Sequence, residues 1–404
     1  MKIKNSYIFF IVLLSFCFQQ FTIPGLSFPL RPFVFAIIIA LLFILLTDSD
    51  RRFPFPFYIP FVCVFFLYIF SSFLWALEVQ FALVRIVWTL FLCVTYFTLV
   101  KICPYERVLY LNKAGAITLY TLLIAILLYY CLGLYSFYIQ GYEVGFGYDQ
   151  GVYGVYMEGI LPRLRGFMDS PNNMGLLLLP LFYGIYLFDL KLGKFFIILL
   201  FAVVTLTLSI TTYLAFILPL ILLIILKKPR YFIYLLLGFS IFIFLIFIIA
   251  QDYELINQII STRLSRVASG SGRFDLFGFV LEKISENPFL GYGIAQARVY
   301  LLGFQGRDLQ SSHNSFLESF FEGGIIGLTL FVLCWVTIAF YILTLKIDGS
   351  KKIMLFCYLG SLVLFSFANM MIYVDVMILN LFFIWYFSEQ LKLHERSNLF
   401  LKNG

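Results

Sequence analysis

Charged residues are scarce in this 404-residue chain, at 12%, while 62% of its residues are hydrophobic. Soluble domains carry about 25% charged and 45–50% apolar residues, so a globular core could not absorb this excess of Phe, Leu and Ile. Histidine occurs only twice, and the seven cysteines form no CxxC pair. The composition therefore excludes a disulfide-stapled secreted domain and a cysteine metal site, and it makes lipid the solvent for much of the surface.

Apolar runs dominate what is present. A membrane-spanning helix needs about 17–25 apolar residues, and such runs predict an all-α integral membrane protein with about twelve transmembrane helices. The predicted helices are 6–22, 33–47, 57–75, 81–100, 115–133, 174–189, 195–210, 212–226, 231–250, 323–345, 353–372 and 375–389. A polar patch at Ser209–Thr212 divides a stretch that is too long for one crossing. The first run lacks a small-residue cleavage site, so we predict that it is retained as a helix.

The basic residues indicate how the chain is oriented. With the N-terminus in the cytoplasm, about twice as many Lys and Arg residues fall inside as outside, which follows the positive-inside rule. The orientation of the chain in the membrane thus explains the net charge of +7, which indicates no nucleic-acid partner. The arrangement predicts one polytopic domain over residues 1–404, with both termini cytoplasmic. Two large extracytoplasmic loops, at 134–173 and 251–322, are long enough to carry function.

The end of the second loop holds the histidine most suited to chemistry. His313 follows Ser311 and Ser312, either of which can cap a helix that begins there. Asn314 and Glu318 are four residues apart and share one face of that helix. A neutral imidazole is the usual general base near pH 7. The alternative is a structural histidine that is hydrogen-bonded at a helix start.

Arginines form the second group of candidate site residues. Outside the membrane they include Arg163, Arg165, Arg263, Arg266 and Arg273. The planar guanidinium matches phosphate oxygens two at a time, so several arginines at the outer leaflet suit a lipid pyrophosphate. Contacts with lipid headgroups, or ion pairs within the loops, are the alternative.

A further arginine, Arg85, lies within the predicted span 81–100. A charge inside a span is costly and usually functional. Arg85 is near the outer end of its helix, however. An equal alternative to a functional role is that its side chain extends to the membrane surface, where the charge is hydrated.

Several short motifs follow one another across residues 163–327. They are Arg165-Gly166 with Ser170-Pro171-Asn172, Ser271-Gly272-Arg273, Glu286 to Gly293, His313 to Glu318, and Gly323 to Gly327. In this order, and outside the membrane, they resemble the O-antigen polymerase and ligase superfamily. Ser170 stands where that family usually has a first Asn, and the turn at 209–212 lacks the Arg found in many relatives.

The resemblance implies a lipid-dependent glycosyltransferase that uses neither metal nor other cofactor. Its donor and acceptor would be glycans on a polyprenyl pyrophosphate carrier, held at the outer face of the cell inner membrane. His313 would be the catalytic base, and Arg165 and Arg273 would bind the pyrophosphate. Positioning roles would fall to Arg163, Arg266, Asn314 and Glu318. The two large extracytoplasmic loops contain no DxD motif, which fits a donor that is not a soluble nucleotide sugar; Asp48-Ser49-Asp50 falls in a short segment predicted to face the cytoplasm.

Three functions remain open at this point. The Phe-rich helices and short tail favour a polymerase that joins repeat units into O-antigen or a similar surface polysaccharide, and the family adds a chain-length-regulating membrane protein as an expected partner. A ligase that transfers polymer to lipid A–core shares the same motifs. The third possibility is not an enzyme but a polysaccharide flippase or another transporter. It predicts charged or broken helices around a midplane cavity.

Overall fold

The computed structural model describes residues 5–22, 30–47, 56–103, 113–141, 151–158, 161–190, 192–227, 273–304, 307–308 and 311–403. Most of these residues are helical. The helices are α1 (Asn5–Ser15), α2 (Pro32–Thr47), α3 (Ile59–Ser71), α4 (Val79–Ile102), α5 (Lys113–Tyr138), α6 (Pro171–Leu187), α7 (Lys194–Leu206), α8 (Ile210–Lys227), α9 (Arg273–Glu286), α10 (Ala297–Tyr300), α11 (Ser315–Thr344), α12 (Gly349–Ala368) and α13 (Asp375–Asn403).

Four helices in the described part of the chain are long and apolar enough to cross a membrane. They are α4, residues 117–138 of α5, α11 and α12. Shorter apolar helices are α2, α3 with its 3-10 extension to Trp75, α7, and residues 210–222 of α8. Such helices need lipid around them, so the chain is a multi-pass membrane protein. The total of about twelve spans stays a prediction, and the helix predicted at 231–250 lies outside the described residues.

Three helix ends differ most from the predicted bounds. Helix α1 ends at Ser15 rather than at residue 22, because the polar Gln19 and Gln20 bind other parts of the chain. Helix α11 begins at Ser315 rather than at 323. Helix α13 continues to Asn403 rather than ending at 389. The apolar run predicts only the part of a helix that lies in the membrane, and a helix can extend beyond it.

Short strands in the two long loops are the main departure from the all-α prediction. Strands β1 (Gly151–Val152), β2 (Val155–Glu158) and β3 (Leu161–Leu164) form an antiparallel sheet in that order. Strands β4 (Leu302–Phe304) and β5 (Arg307–Asp308) form a second pair. Such short strands leave little alternation in the sequence, which is why they were missed. Tyr156 pairs with Arg163 in the β2–β3 register, so the two side chains share one face of the sheet.

Hydrogen bonds between buried polar groups align the helices in the interior. The Tyr358 hydroxyl donates to Asn380 Oδ1 at 2.7 Å, and Asn380 Nδ2 donates to the Leu176 carbonyl at 3.1 Å. Tyr183 and Ser361 share a hydrogen bond of 2.8 Å. Because lipid offers no competing partners, such bonds help to hold α6, α12 and α13 together. These helices carry much of the site at their ends.

A break in α11 is built around Gly324, which has φ 61° and ψ −161°. The break frees the carbonyls of Phe321 and Glu322, and the amides of Tyr292 and Gly293 donate to them, each at 2.8 Å. The loop at 287–293 thus completes the backbone hydrogen bonding that the helix loses there. Gly291 and Gly293 in this loop have positive φ, a conformation that glycine adopts without strain.

We expect Gly324→Ala to destabilise the protein by at least about 2 kcal/mol, because both the backbone conformation and the space are restricted to glycine. A Cβ at this position would lie 2.1 Å from the Phe289 carbonyl oxygen. The thermal stability of the detergent-solubilised protein measures the effect. Gly360→Ala is the matched control, since a Cβ there meets nothing within 4 Å. Equal melting temperatures for the two variants would contradict the structural role of the break.

Candidate active site

One end of the bundle, called here the site end, collects most of the polar residues that the sequence singled out. Helices α2, α4, α6, α11 and α13 begin there and α12 ends there. Two contacts tie these helix ends together: Arg31 to Asp375, and Asn172 to Asn369. That this end faces away from the cytoplasm stays a prediction.

His313 lies in the segment immediately before α11. Its φ of 52° is in the left-handed region, which few residues other than glycine adopt without strain. Asn314 is the helix cap, since its Oδ1 accepts from the amides of Phe316 and Leu317. The prediction that Ser311 or Ser312 caps the helix is therefore wrong, and His313 precedes the first turn instead of lying in it.

Glu318 holds this segment from inside the protein. Its Oε2 accepts from the Ser312 amide at 2.8 Å and from the Ser312 hydroxyl at 2.7 Å. Both Glu318 and Ser312 are buried, while the neighbouring His313 is exposed. The carboxylate thus fixes the residue before His313, and the cap at Asn314 fixes the residue after it. The backbone of His313 is therefore fixed in its left-handed conformation by its two neighbours.

Arg273 is the first residue of α9 and lies close enough to His313 to affect its charge. The surrounding protein and the positive charge of Arg273 lower the pKa of His313 below its ordinary value of 6.5. The imidazole is therefore neutral at pH 7, as a general base must be. Burial also lowers the pKa of Arg273, and the charge of Glu158 opposes that change. A guanidinium stays protonated in either case.

Arg163 is buried and bonded to protein groups on several sides. It donates to Glu158 and to the Thr207 carbonyl, each at 2.9 Å, and to Asn172 Oδ1 at 3.4 Å. These bonds join strand β3 to the turn between α7 and α8 and to the first turn of α6. The predicted break within 195–226 is confirmed at this turn, which spans residues 207–209. The contacts are those of a residue that positions its neighbours.

Arg165 is half-buried and lies beside the same sheet. Its Nε donates to the Tyr153 carbonyl at 3.1 Å. Burial raises the pKa of Tyr156, while the charges of Arg163 and Arg165 lower it, so both arginines lie near that ring. Gln20 holds the following turn, because its Nε2 donates to the carbonyls of Gly166 and Met168.

The structure therefore brings six of the predicted residues to the site end: Arg163, Arg165, Arg273, His313, Asn314 and Glu318. Arg266 and Arg263 lie outside the described residues. Arg85 faces the protein and not the lipid, since its guanidinium lies 4.5 Å from the centre of the Tyr373 ring. Among the described residues, no group of three His, Cys, Asp or Glu side chains is arranged to hold a metal ion.

An ion-pair cluster at the site end escaped the sequence reasoning. Arg31 bonds to Asp169 and, at 2.8 Å, to Asp375. Gln19 donates to Asp375 and accepts from Asn173 at 3.2 Å. Burial raises the pKa of Asp169 to about 6, so the carboxylate is ionised and paired at neutral pH. An acidic residue at the start of an apolar helix, as at Asp375, was the signal that could have pointed to the cluster.

Comparison with known protein families gives a match over part of the chain. Residues 195–332 match a family model described as O-antigen ligase. The matched range contains Arg273, His313 and Glu318 and excludes Arg163 and Arg165. No curated protein sequence is detectably similar to the chain. The match supports an enzymatic, glycosyltransferase-like role in the synthesis of O-antigen or another surface polysaccharide, within the O-antigen polymerase and ligase superfamily.

Proposed function

We propose that the chain is a polymerase that joins repeat units carried on polyprenyl pyrophosphate into a surface polysaccharide. The observation that carries the proposal is His313, whose backbone is fixed before α11 by Ser312 and Asn314 and whose pKa is lowered by the surrounding protein and by Arg273, inside the range that matches the family model. The site would lie at the outer face of the cell inner membrane, with both chain termini in the cytoplasm. A membrane protein that regulates chain length is the expected partner.

The proposed reaction is an inverting, metal-independent glycosyl transfer. The oxygen of an acceptor hydroxyl forms a bond to the anomeric carbon of the donor sugar as the bond from that carbon to the pyrophosphate oxygen breaks. His313 takes the hydroxyl proton, and polyprenyl pyrophosphate leaves with the electron pair. Arg165 and Arg273 stabilise the charge on the leaving group, a role that often supplies the largest part of catalysis.

The other residues of the site would position these groups. Glu318 and Asn314 hold the His313 segment through the bonds described above. Arg163 supports the turn that carries Arg165. Arg266, outside the described residues, is assigned a positioning role by the family resemblance alone.

A ligase that transfers finished polymer to lipid A–core is the second candidate, and the description of the matched family favours it. We prefer the polymerase because the Phe-rich helices of this chain resemble those of polymerases. A transporter is disfavoured because, in the part of the chain that the structure describes, the candidate site residues lie at the site end, where α4, α6 and α11 begin.

A lipopolysaccharide gel of a host that lacks the gene tests the proposal. A polymerase deletion should leave core plus a single repeat unit and lose the ladder of longer chains. A ligase deletion should leave bare core while polymer accumulates on the lipid carrier. Absence of lipid-linked repeat units from the outer face would indicate a transporter. A complete ladder in the deletion strain would refute every one of these roles.

A further inference from the structure

Asn369, the residue that follows α12, ends a chain of hydrogen bonds whose direction is determined by an arginine. Arg163 can only donate, so the atom of Asn172 that it contacts at 3.4 Å is the oxygen Oδ1. The Ser209 hydroxyl donates to the same oxygen at 2.7 Å. Asn172 Nδ2 therefore points away from Arg163 and donates to Asn369 Oδ1 at 2.8 Å.

This order leaves the other end of the Asn369 amide as a donor. Asn369 is 8% exposed, and its Nδ2 has no acceptor among the described residues. Reversing the amide would place two NH₂ groups against each other, so the orientation is not free to change. A buried donor without an acceptor is rare in folded proteins and is energetically costly. An oxygen from a bound molecule would remove this cost.

Asn369 contacts two parts of the candidate site, the start of α11 and the first turn of α6. Its backbone carbonyl accepts from the Ser315 hydroxyl at 3.0 Å, and that hydroxyl in turn accepts from the Met371 amide at 2.7 Å. Ser315 is two residues after His313. Asn172, on the other side, is in the first turn of α6, where the helix dipole favours negative charge. Asn369 thus contacts both the segment that carries His313 and the first turn of α6.

We infer that the Asn369 side-chain amide donates a hydrogen bond to an oxygen of the lipid-linked substrate. The inference rests on the proposed function and adds a binding residue that lies outside both the quoted motifs and the matched range. The acceptor is either a phosphoryl oxygen of the pyrophosphate or a hydroxyl oxygen of the first sugar. The two oxygens share the same chemistry at this position, and the experiment separates them.

Two variants test the donor. Asn369→Asp keeps the oxygen that accepts from Asn172 but replaces the donor with a second oxygen, which also adds a negative charge at this buried position. Asn369→Leu removes the donor without adding negative charge, which separates the lost bond from charge repulsion and serves if the Asp variant does not fold. Asn287→Asp is the matched control, because Asn287 Nδ2 already donates to the Gly291 carbonyl at 2.6 Å. It should lower thermal stability and leave the ligand affinity of the folded protein unchanged.

The measurement is binding to the full chain in nanodiscs, with bare polyprenyl pyrophosphate and with the glycan-bearing lipid from the deletion host as probes. We expect each Asn369 variant to bind about 10- to 100-fold more weakly. Weaker binding of both probes assigns the acceptor to the pyrophosphate, and weaker binding of the glycan-bearing lipid alone assigns it to the sugar. If wild type binds and the variants bind equally well, the inference is wrong. If wild type binds neither probe, the proposed function itself fails.

Discussion

Replacing His313 should abolish polymer formation while the protein still inserts and accumulates in the membrane. A general base contributes about 10²–10⁴-fold to rate, so the ladder on the gel should disappear. His313→Ala is the simplest variant. His313→Asn is the sharper one, because Asn tolerates the left-handed conformation of this position better than most residues. Loss of activity in the Asn variant therefore reports on the imidazole and not on backbone strain.

The second histidine provides the control. His394 lies on α13, 19 residues after the start of that helix at the site end, and its side chain is exposed. His394→Ala should retain the wild-type ladder. His313→Gly also suits a positive φ and leaves space for a free imidazole molecule. Partial restoration of polymer by added imidazole would support the role of base, whereas a full ladder in any His313 variant would remove His313 from the mechanism and reopen the transporter reading.

The pH dependence follows from the direction of the shift. The pKa of His313 is lowered below 6.5, so the neutral, active form persists to lower pH than for an ordinary histidine. Activity should therefore be constant around pH 7 and fall only as pH drops through the lowered pKa of His313. Measuring kcat/KM against pH with purified protein checks this. A loss of activity that begins above pH 6.5 would contradict the assigned surroundings of His313.

Sequence patterns could single out His313 and the arginines as candidates because motif order and loop position are local features. The apolar runs likewise found each described span, and most helix ends were placed within a few residues. The helix predicted to begin after Ser312 starts at Ser315, but the sequence did not show that it continues through Gly323 and Gly324 into the span predicted at 323–345. In the fold, a loop about thirty residues earlier completes the helix at that break.

Contacts between distant segments could not be predicted in the same way. Arg31 meets Asp169 and Asp375 across 138 and 344 positions of the chain. Asn369 follows an apolar helix as an ordinary polar residue, and its role depends on the direction of a bond chain that begins at Arg163. Neither periodicity nor spacing encodes such packing, because it depends on which helix ends meet.

Arg273 should have two separable effects, and two substitutions distinguish them. Arg273→Lys keeps the positive charge beside His313 but loses the planar fork that binds two phosphate oxygens at once. Arg273→Gln loses both. We expect each variant to reduce kcat/KM by about 10²–10³-fold, as when one stabilising donor of a developing charge is removed. Lys283→Gln removes a cation from the same helix at an exposed ion pair and should leave the rate unchanged.

The pH profile then separates the two Arg273 variants. Because the positive charge of Arg273 lowers the pKa of His313, removing it in Arg273→Gln should raise that pKa and move the acidic fall in kcat/KM to higher pH. In Arg273→Lys the charge remains, so the fall should stay where it is in wild type. A fully active Lys variant would refute bidentate binding of the pyrophosphate by Arg273. An unmoved profile in the Gln variant would instead show that Arg273 does not influence His313, leaving pyrophosphate binding as its only contribution to the reaction.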